Sequence, residues 1–320
     1  MKLAVISDIH YAGPAEQARQ GFEIRSIGNP ALRLAARAWR RWIWLHDPMA
    51  HNHRLDRLIA ANPGPDHVVA NGDFTVDSAF VGVSDDAALE SAHQALNRLR
   101  QAYGPRLLAT IGDHELGKQS LFGGVGGLRL ESWKRCQLRL GLDPIWHREF
   151  GPWALIGVAS TPVALPIYGP EILPEERTAW NEVADTLWTG IREAFSRVES
   201  GQRIVLFVHD PSALPFLGRD ATVARHLPQI AKTIVGHLHS PSIFRLGQRL
   251  AGMPRIHFLG NTVRRHSVAL NEARWWRKFR VELCPSPCGI QLFKDGGWLE
   301  LDLDPEGRKP ISIHRQPLPW

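Results

Sequence analysis

Cysteine is scarce in this sequence. Only Cys136, Cys284 and Cys288 occur among its 320 residues. A small secreted protein held together by disulfides carries more cysteines, usually in even number, so we expect a reducing compartment. Because Cys284 and Cys288 have no second cysteine pair with which to complete a four-ligand site, we do not expect a structural zinc ion.

Long hydrophobic runs are also missing. The segment Met1–Asp8 is apolar for only four residues before polar groups follow, which is too short for a secretory signal. The longest uncharged stretch, Phe150–Pro170, is interrupted by prolines and a glycine, and these residues break a membrane-spanning helix. We therefore expect a soluble, cytoplasmic protein.

Charge of one sign is in modest excess. The chain has 38 lysines and arginines against 32 aspartates and glutamates, a formal net charge of +6. This balance favours anionic partners such as nucleotides, nucleic acid or acidic lipid surfaces, although a solubilising surface explains it equally well. With 44% hydrophobic and 22% charged residues, the composition argues against intrinsic disorder.

Several short apolar runs stop abruptly at polar residues. Each has the usual length of a buried strand, and the predicted strands are Lys2–Ser7, His67–Ala70, Arg106–Ile111, Arg203–Val208 and Lys232–Val235. Helical patterns lie between them at Asn52–Ala61, Asp85–Ala102, Leu130–Leu140 and Glu175–Glu199. Strand alternating with helix predicts an α/β fold with a largely parallel sheet, whose chemistry gathers beyond the carboxyl ends of the strands.

A second, more mixed sheet is predicted from strand patterns that lack strong helices between them. Its candidate strands are Trp153–Ala159, Arg255–Leu259, Gly289–Lys294 and Gly297–Leu303. The tail from Pro305 to Trp320 is rich in proline and charge, and we expect an irregular surface segment there.

Carboxylates and imidazoles dominate the residues that follow the predicted strands. These residues are Asp8, His10, Asp73, Asp113, His114, His209, His237 and His239. Oxygen and nitrogen ligands without thiolate suit Mn²⁺, Fe, Zn²⁺ or Mg²⁺. The set is larger than one tetrahedral ion needs, whereas two metal ions about 3.5–4 Å apart that share a carboxylate would use it fully.

The order of these residues resembles the calcineurin-like metallophosphoesterase family, which has a binuclear metal centre. The matching motifs are Asp8-Ile9-His10, Gly72-Asp73, Gly112-Asp113-His114-Glu115, His209 and Gly236-His237-Leu238-His239. The resemblance extends from residue 3 to about residue 262, where Gly260-Asn261 looks like the turn that follows the family's last motif. Five ordered motifs are a specific signal, whereas one alone would be weak.

The resemblance implies a role for each of these residues. The implied ligands are Asp8, His10 and His239 for the first metal, Asp113, His209 and His237 for the second, and Asp73 as the bridge between both. His114 looks like the family's histidine beside the scissile phosphate, which helps to neutralise or protonate the leaving oxygen. Glu115 would orient a neighbouring ligand or the backbone. Two such cations make hydroxide available at neutral pH and bind the phosphoryl oxygens, with a donor histidine for the developing charge.

Asp113 departs from the family pattern, which normally has asparagine at this position. A carboxylate adds a full negative charge, so we expect tighter metal binding, lower Lewis acidity and a His114 that is more easily kept protonated. A second departure is that Val76 stands where some branches have an acidic residue. We assign no catalytic role to Asp77, which follows it.

The fold implied by the resemblance is α/β, with two packed mixed β-sheets flanked by helices in a four-layer sandwich. We predict a metallophosphoesterase core over residues 1–262, with a helical insertion near residues 14–61. Residues 263–320 would form a C-terminal extension that completes or covers the second sheet.

Two basic segments are rich in tryptophan. In the predicted helix Ala31–Leu45, four arginines share one face, and Trp39 and Trp42 lie on the other; the segment Arg274–Arg280 repeats this chemistry. A basic helix with a tryptophan face can lie in a membrane interface, although the tryptophans can also simply pack on the core. The candidate membrane or lipid contacts are Arg37, Trp39, Arg40, Trp42, Trp275 and Trp276.

These patterns leave several functions open. The first is a metal-dependent hydrolase of a phosphodiester or pyrophosphate, with manganese as the favoured ion and a phosphorylated substrate as its partner. Within the family, the UDP-2,3-diacylglucosamine pyrophosphatases suggest a lipid-linked nucleotide sugar and a peripheral position at the inner face of the membrane. A nucleic-acid substrate is less favoured because no capping domain or coiled coil is evident. The other classes are a non-catalytic binding module on the same fold and a membrane-associated scaffold with a structural metal site.

Overall fold

Two five-stranded β-sheets form the centre of the molecule. The computed structural model describes residues 1–62, 64–121, 124–257 and 261–320, with the backbone alone for residues 261 and 262. The strands are β1 (Lys2–Ile6), β2 (His67–Asn71), β3 (Leu107–Thr110), β4 (Ile145–Phe150), β5 (Trp153–Val158), β6 (Arg203–Val208), β7 (Ile230–Val235), β8 (Val281–Leu283), β9 (Gly297–Asp302) and β10 (Ser312–Pro317).

The first sheet has the strand order β10-β9-β1-β2-β3. β1 is parallel to β2, in a register that pairs Val5 with Val69, and β2 is parallel to β3. On its other side β1 is antiparallel to β9, where Leu3 lies opposite Leu301, and β9 is antiparallel to β10. The sheet is therefore mixed, with its parallel part built from the early strands.

The second sheet has the order β4-β5-β6-β7-β8. β5, β6, β7 and β8 run parallel, and β4 pairs antiparallel with β5. Each sheet thus combines a run of parallel strands with antiparallel pairing on one side. Parallel strands need helical connections that cover the sheet faces, which explains why β5 and β6 are almost entirely buried.

The alternation of side chains along the strands divides the core into layers. Leu3 and Val5 of β1 pack with Leu155 and Phe207 of the second sheet in one cluster between the sheets. Ala4 and Ile6 point to the opposite face and pack with the helices. The predicted fold, two packed mixed sheets flanked by helices, is confirmed.

The helices flank both sheets. They are α1 (Pro14–Gln17), α2 (Phe22–Ser26), α3 (Pro30–Trp42), α4 (His53–Ala61), α5 (Asp86–Tyr103), α6 (Asp113–Leu116), α7 (Leu130–Leu138), α8 (Ser160–Val163), α9 (Leu165–Tyr168), α10 (Arg177–Ser196), α11 (Leu214–Arg219), α12 (Ala221–His226), α13 (Pro241–Arg249), α14 (Asn261–Asn271) and α15 (Arg274–Lys278). Within the described ranges, none is both long and apolar enough to cross a membrane.

Two predicted strands and the predicted irregular tail need correction. Gly289–Lys294 is a turn, because Phe293 and Lys294 donate backbone hydrogen bonds to the carbonyl of Ile290. Of Arg255–Leu259, residues 255–257 are irregular and the other two lie outside the described residues. The tail is not irregular throughout, since β10 pairs along its whole length with β9. Sequence patterns also missed β4, β8, α13 and α14.

The residues after 262 contribute to both sheets. β8 extends the second sheet beside β7, and β9 and β10 extend the first beside β1. The division of the chain into a core that ends at residue 262 and an extension stays a prediction.

Candidate metal centre

The predicted ligands lie in the loops that follow five parallel strands. Asp8 and His10 follow β1, Asp73 follows β2, and Asp113 begins α6 after β3. From the second sheet, His209 follows β6, and His237 and His239 follow β7. The carboxyl ends of the parallel strands of both sheets lie on the same side of the molecule, so residues from distant parts of the chain come together there.

The backbone at this place is unusual. Asp8, His10, Asp73, His237 and His239 all have positive φ angles, of 55°, 47°, 59°, 64° and 58°. Residues with side chains rarely adopt this left-handed conformation, which persists only where the surrounding structure enforces it. Backbone strain at five predicted ligands indicates that the surrounding structure holds their side chains in a common orientation, toward one point.

Two glycines of the motifs leave no room for a side chain. A Cβ atom on Gly112 would lie 2.2 Å from Oδ1 of Asp73, and one on Gly236 would lie 2.0 Å from Oγ of Ser7. These glycines let the loops approach the carboxylates closely.

One group of side chains is almost entirely buried, with His237 the most exposed member at 9%. Asp73, Asp113, His209 and His237 each offer a ligand atom within 4.8 Å of the others. Nε2 of His209 lies 3.0 Å from Oδ2 of Asp73 and 3.2 Å from Oδ1 of Asp113. Nδ1 of His237 lies 3.0 Å from the same Asp113 oxygen. This arrangement can hold one divalent cation.

A second group is partly open to solvent. Asp8, His10 and His239 also bring three ligand atoms within 4.8 Å of one another. Nε2 of His239 lies 3.4 Å from Oδ1 of Asp8 and 3.2 Å from Nε2 of His10. Two imidazole nitrogens at this distance repel one another when both are protonated, whereas a shared cation would draw them together.

Asp73 lies between these two groups. Its Oδ2 contacts His209 of the buried group, and is 3.9 Å from Nε2 of both His10 and His114. The structure thus brings His114 to the same place as the predicted ligands. The ring centroids of His10 and His114 are 4.6 Å apart.

Backbone carbonyls fix the orientation of three imidazoles. Nδ1 of His209 donates to the carbonyl of Asn71 at 2.6 Å, and Nδ1 of His114 donates to the carbonyl of Val76 at 2.9 Å. Nδ1 of His10 donates in the same way to the carbonyl of Thr75 at 3.2 Å. Since Nδ1 is engaged in each ring, Nε2 faces the carboxylates, as in histidines that bind metals.

Glu115 holds the loop that carries Asp73. Its Oε2 accepts hydrogen bonds from the backbone N–H groups of Asp73 and Gly112, both at 2.9 Å. Its Oε1 accepts from Phe74 at 2.6 Å and from Thr75 at 3.3 Å. The carboxylate therefore joins the second and third motifs through their backbones.

Electrostatics at this place favour a cation. Burial raises the pKa of Asp8 to about 6, and burial together with the charge of Asp73 raises the pKa of Glu115 to about 8. Burial alone would lower the pKa of His209, but Asp73 and Asp8 raise it well above its ordinary value. Crowded carboxylates thus stabilise positive charge at their centre, so the residues fit the divalent metals that oxygen and imidazole ligands prefer.

Two residues that contact the centre were missed by sequence analysis. Nζ of Lys118 lies 2.8 Å from Oδ2 of Asp113. Oγ of Ser286 donates to the carbonyl of Asp8 at 3.0 Å, and the backbone N–H of Ser286 donates to the carbonyl of His239 at 3.0 Å. A basic residue soon after the aspartate of the third motif was a signal for Lys118, whereas no motif marks Ser286.

A chamber of about 720 Å³ opens beside the metal centre. Asp8, His10, His114, His237 and His239 line one end. Most of the remaining wall is apolar. The helices α2, α3, α13 and α14 contribute Ile24, Leu32, Ala36, Trp39, Ile243, Leu246 and Leu270 to it.

The candidate membrane contacts are distributed unevenly around this chamber. Trp39 is 42% exposed at the chamber wall and Trp42 is 64% exposed. Arg37 is exposed, but Arg40 forms an ion pair with Glu23.

The second basic segment is not a surface face as a whole. Trp276 is buried, where it stacks on Phe244 and lines the chamber. Trp275 is half-buried and packs with Lys278 and Phe279. Gly260 of the predicted turn Gly260-Asn261 lies outside the described residues, as does the side chain of Asn261.

Comparison with known proteins gives one family match. The model of the calcineurin-like phosphoesterases matches residues 1–241. Similar solved structures include a dimetal phosphatase from Danio rerio, with 13% identity, a TM-score of 0.46, and coverage of 98% of this chain and 95% of that one. Another is a phosphopantetheinyl hydrolase from Mycobacterium tuberculosis, with 16% identity, a TM-score of 0.34, and coverage of 74% and 83%. No curated protein matches the chain in sequence.

Proposed function

We propose that this protein cleaves a phosphodiester or pyrophosphate with two divalent metal ions, of which manganese is the favoured ion. The chain belongs to the calcineurin-like phosphoesterase family and is a phosphoric ester hydrolase. The observation that carries this proposal is the position of Asp73 between a buried group of ligands and a more open one. A carboxylate shared by two ligand groups is the arrangement that a binuclear centre needs.

The side chains divide the work of this reaction. Asp8, His10 and His239 would hold the first metal, Asp113, His209 and His237 the second, and Asp73 both. When bound, such ions activate water and stabilise the negative charge of the phosphoryl oxygens. Glu115 keeps the Asp73 loop in place, and Asn71 orients His209 through its carbonyl.

His114 is proposed as the catalytic residue beside the substrate. Its Nδ1 is tied to the carbonyl of Val76, and its ring lines the chamber with Nε2 on the side of Asp73. Because the ring is 20% exposed, a substrate in the chamber can reach it. In the protonated state Nε2 would donate to the leaving oxygen.

Hydrolysis of bis-p-nitrophenyl phosphate and p-nitrophenyl phosphate by the Mn²⁺-loaded protein tests this proposal. We expect turnover of the diester, and a loss of about 10²–10⁴-fold in kcat for His114→Ala, the range of a general acid–base group. The matched control is His93→Ala, since His93 lies on the exposed face of α5. Full diesterase activity in His114→Ala would contradict the role of His114. No turnover of either compound by a protein with two bound ions would count against simple esters as substrates.

A second candidate function is hydrolysis of a lipid-linked nucleotide sugar, of the UDP-2,3-diacylglucosamine type, at the inner face of the membrane. The apolar chamber supports it because an acyl chain needs an apolar wall close to the reacting phosphate. Trp39 stacks on Trp44 with centroids 6.1 Å apart, and Trp44 lies 5.3 Å from the ring of His239. An apolar path thus leads from the surface helix α3 to the metal centre.

Exposed apolar side chains gather at this chamber. Leu32, Trp39, Leu121, Leu246 and Leu250 are each more than 40% exposed and belong to its wall. Leu292, which is 56% exposed, adjoins the end of α3 through a hydrogen bond to the carbonyl of Ile43. Exposed apolar residues that cluster around one opening are typical of membrane or lipid contact.

Binding to vesicles of phosphatidylglycerol and phosphatidylcholine tests the membrane contact. We expect co-sedimentation of the wild type and a several-fold loss for Trp39→Ala/Trp42→Ala. The matched control is Leu138→Ala, because Leu138 is 82% exposed on α7 and does not line the chamber. Equal binding by the wild type and the double variant would remove α3 from the proposal.

The alternative of a non-catalytic binding module has less support. Loss of catalysis in this fold would leave motif positions without ligands. Here all seven predicted ligand positions carry a carboxylate or an imidazole, and His114 lies beside them.

A further inference from the structure

The two oxygens of Asp113 face different partners. Oδ1 lies 3.0 Å from Nδ1 of His237 and 3.2 Å from Nε2 of His209, inside the buried group of predicted ligands. Oδ2 points away from that group and lies 2.8 Å from Nζ of Lys118. The aspartate is fully buried, and the lysine side chain is 22% exposed. One carboxylate thus connects the metal centre to a fixed ammonium group.

The position of Lys118 is set by its own backbone. The chain leaves α6 after Leu116, and the backbone N–H of Lys118 donates to Oδ2 of Asp77 at 3.4 Å. The nearby cation Arg265 is engaged elsewhere, since its Nη1 pairs with Glu171 at 2.9 Å and 3.1 Å. Among the lysines and arginines that the structure describes, Lys118 is therefore the one that pairs with Asp113.

An asparagine at position 113 would place an unfavourable contact beside Lys118. If its amide oxygen took the place of Oδ1, its NH₂ group would face Nζ of Lys118, and two hydrogen-bond donors would oppose each other. An aspartate turns the same contact into an ion pair between opposite charges. The residue at position 113 and the residue at position 118 therefore depend on each other.

We propose that Asp113 and Lys118 form a charge-neutral pair that takes the place of a single amide ligand, with Lys118 as the counter-charge of Asp113. The proposal rests on the proposed two-metal function. Asp113 alone would add a full negative charge to the centre, whereas the pair adds none. Lys118 contacts Oδ2 of Asp113, while Oδ1 lies beside the predicted ligands His209 and His237.

Four proteins test the pair: the wild type, Asp113→Asn, Lys118→Met, and the double variant. The first readout is the Mn²⁺ dissociation constant by calorimetry. Asp113→Asn leaves an uncompensated ammonium near the cation and should weaken binding about ten-fold or more, whereas Lys118→Met leaves an uncompensated carboxylate and should tighten it. The double variant should return to within about three-fold of the wild type.

The second readout is the melting temperature of the metal-free proteins in EDTA. Each single variant leaves one member of the pair without its partner and should melt at a lower temperature than the wild type, and the double variant should recover most of the loss. Lys134→Met is the matched control because Lys134 is exposed on α7. If Lys118→Met does not fold, Lys118→Gln removes the charge and keeps a donor.

The outcomes separate this proposal from the proposed function. A wild type that fails to bind two Mn²⁺ ions would overturn the two-metal function. Weaker Mn²⁺ binding in Lys118→Met, or a double variant that is as unstable as the sum of its single variants, would overturn the pair while the two-metal function stands.

Discussion

At the scale of single residues, the metal centre depends on side chains that are absent as much as on those that are present. A Cβ atom on Gly112 would lie 2.2 Å from Asp73, and one on Gly236 would lie 2.0 Å from Ser7, both far inside van der Waals contact. Neither position needs a positive φ, so the constraint at both is steric. A methyl group there must displace a predicted ligand or its neighbour.

The first prediction therefore concerns these two glycines. Gly112→Ala and Gly236→Ala should each weaken Mn²⁺ binding at least ten-fold, because Asp73 or Asp8 has to move. Calorimetry measures the effect. Gly28→Ala is the matched control, since a Cβ atom at Gly28 meets nothing within 4 Å and the substitution should leave binding unchanged. Normal Mn²⁺ affinity in Gly112→Ala would contradict the close approach of the two loops.

Glu115 is the subject of the second prediction. Its two oxygens accept four backbone hydrogen bonds. At a pH above the pKa of Glu115, which is about 8, Glu115→Gln therefore replaces an accepting carboxylate oxygen with an NH₂ donor that faces buried N–H groups. We expect a loss of about 2–4 kcal/mol in the free energy of unfolding, since each buried unsatisfied group costs about 1–3 kcal/mol. Urea denaturation measures it, with Glu131→Gln on the exposed face of α7 as the control. Equal stability of Glu115→Gln and Glu131→Gln would rule out this role.

At the scale of secondary-structure elements, β10 ties the last residues to the core. Leu318, which follows β10, is 3% exposed, and Arg54 of α4 donates to the carbonyls of Leu318 and Pro319 at 3.1 Å and 2.8 Å. The ring of Trp320 lies 4.6 Å from the guanidinium of Arg54. The tail therefore packs on the core, although its content of proline and charged residues predicts an irregular segment.

The third prediction follows from this burial. Leu318→Ala should lower the free energy of unfolding by about 2–5 kcal/mol, the usual range for a buried leucine. Leu138→Ala should change it by less than about 0.5 kcal/mol because Leu138 is 82% exposed. Urea denaturation of both variants gives the comparison, and equal stability would show that the tail is not part of the core.

Strands that are buried could be predicted from the sequence, because burial requires a run of apolar residues. β1, β2, β3, β6 and β7 are apolar runs that end at motif residues, and the predicted bounds differ from the observed ones by at most two residues. β10 could not be predicted in this way. It is an edge strand with an exposed or half-exposed pattern, so no alternation of apolar residues reveals it. Gly289–Lys294 was wrong for the opposite reason, since its apolar residues belong to a turn.

Some residues of the candidate site could also be predicted from the sequence, and others could not. All predicted ligands and His114 come together because each follows a strand whose carboxyl end is fixed by the fold. Lys118 and Ser286 act through three-dimensional contacts with Asp113 and Asp8. Such contacts depend on how loops that are distant in sequence meet in the fold, and a single sequence does not predict this.

At the scale of the whole molecule, metal binding and folding should be coupled. The cluster buries Asp8, Asp73 and Asp113 together, and their repulsion opposes folding unless positive charge lies among them. A ligand that binds only the folded state stabilises it by about 2.7 kcal/mol at 100 times its dissociation constant.

The fourth prediction is therefore a metal-dependent melting temperature. Mn²⁺ at 100 times its dissociation constant should raise the melting temperature by roughly 5 °C over the value in EDTA, given about 2–4 °C per kcal/mol for chains somewhat shorter than this one. Differential scanning calorimetry measures the shift, and His209→Ala should lose most of it. The same melting temperature with and without Mn²⁺ would contradict a metal site built from these residues.

The pairing of β1 with β9 also determines when the protein can mature during synthesis. Leu3 pairs with Leu301, so one edge of β1 stays open until the segment around residue 301 is translated. A nascent chain that ends at residue 241 already holds every predicted ligand, yet it lacks the strand that completes the sheet around Asp8. Contacts this far apart in sequence form slowly, and an open strand edge invites pairing with other chains. Metal capture should therefore come late, and we expect the intermediate with an open β1 edge to be the state most prone to pairing with other chains.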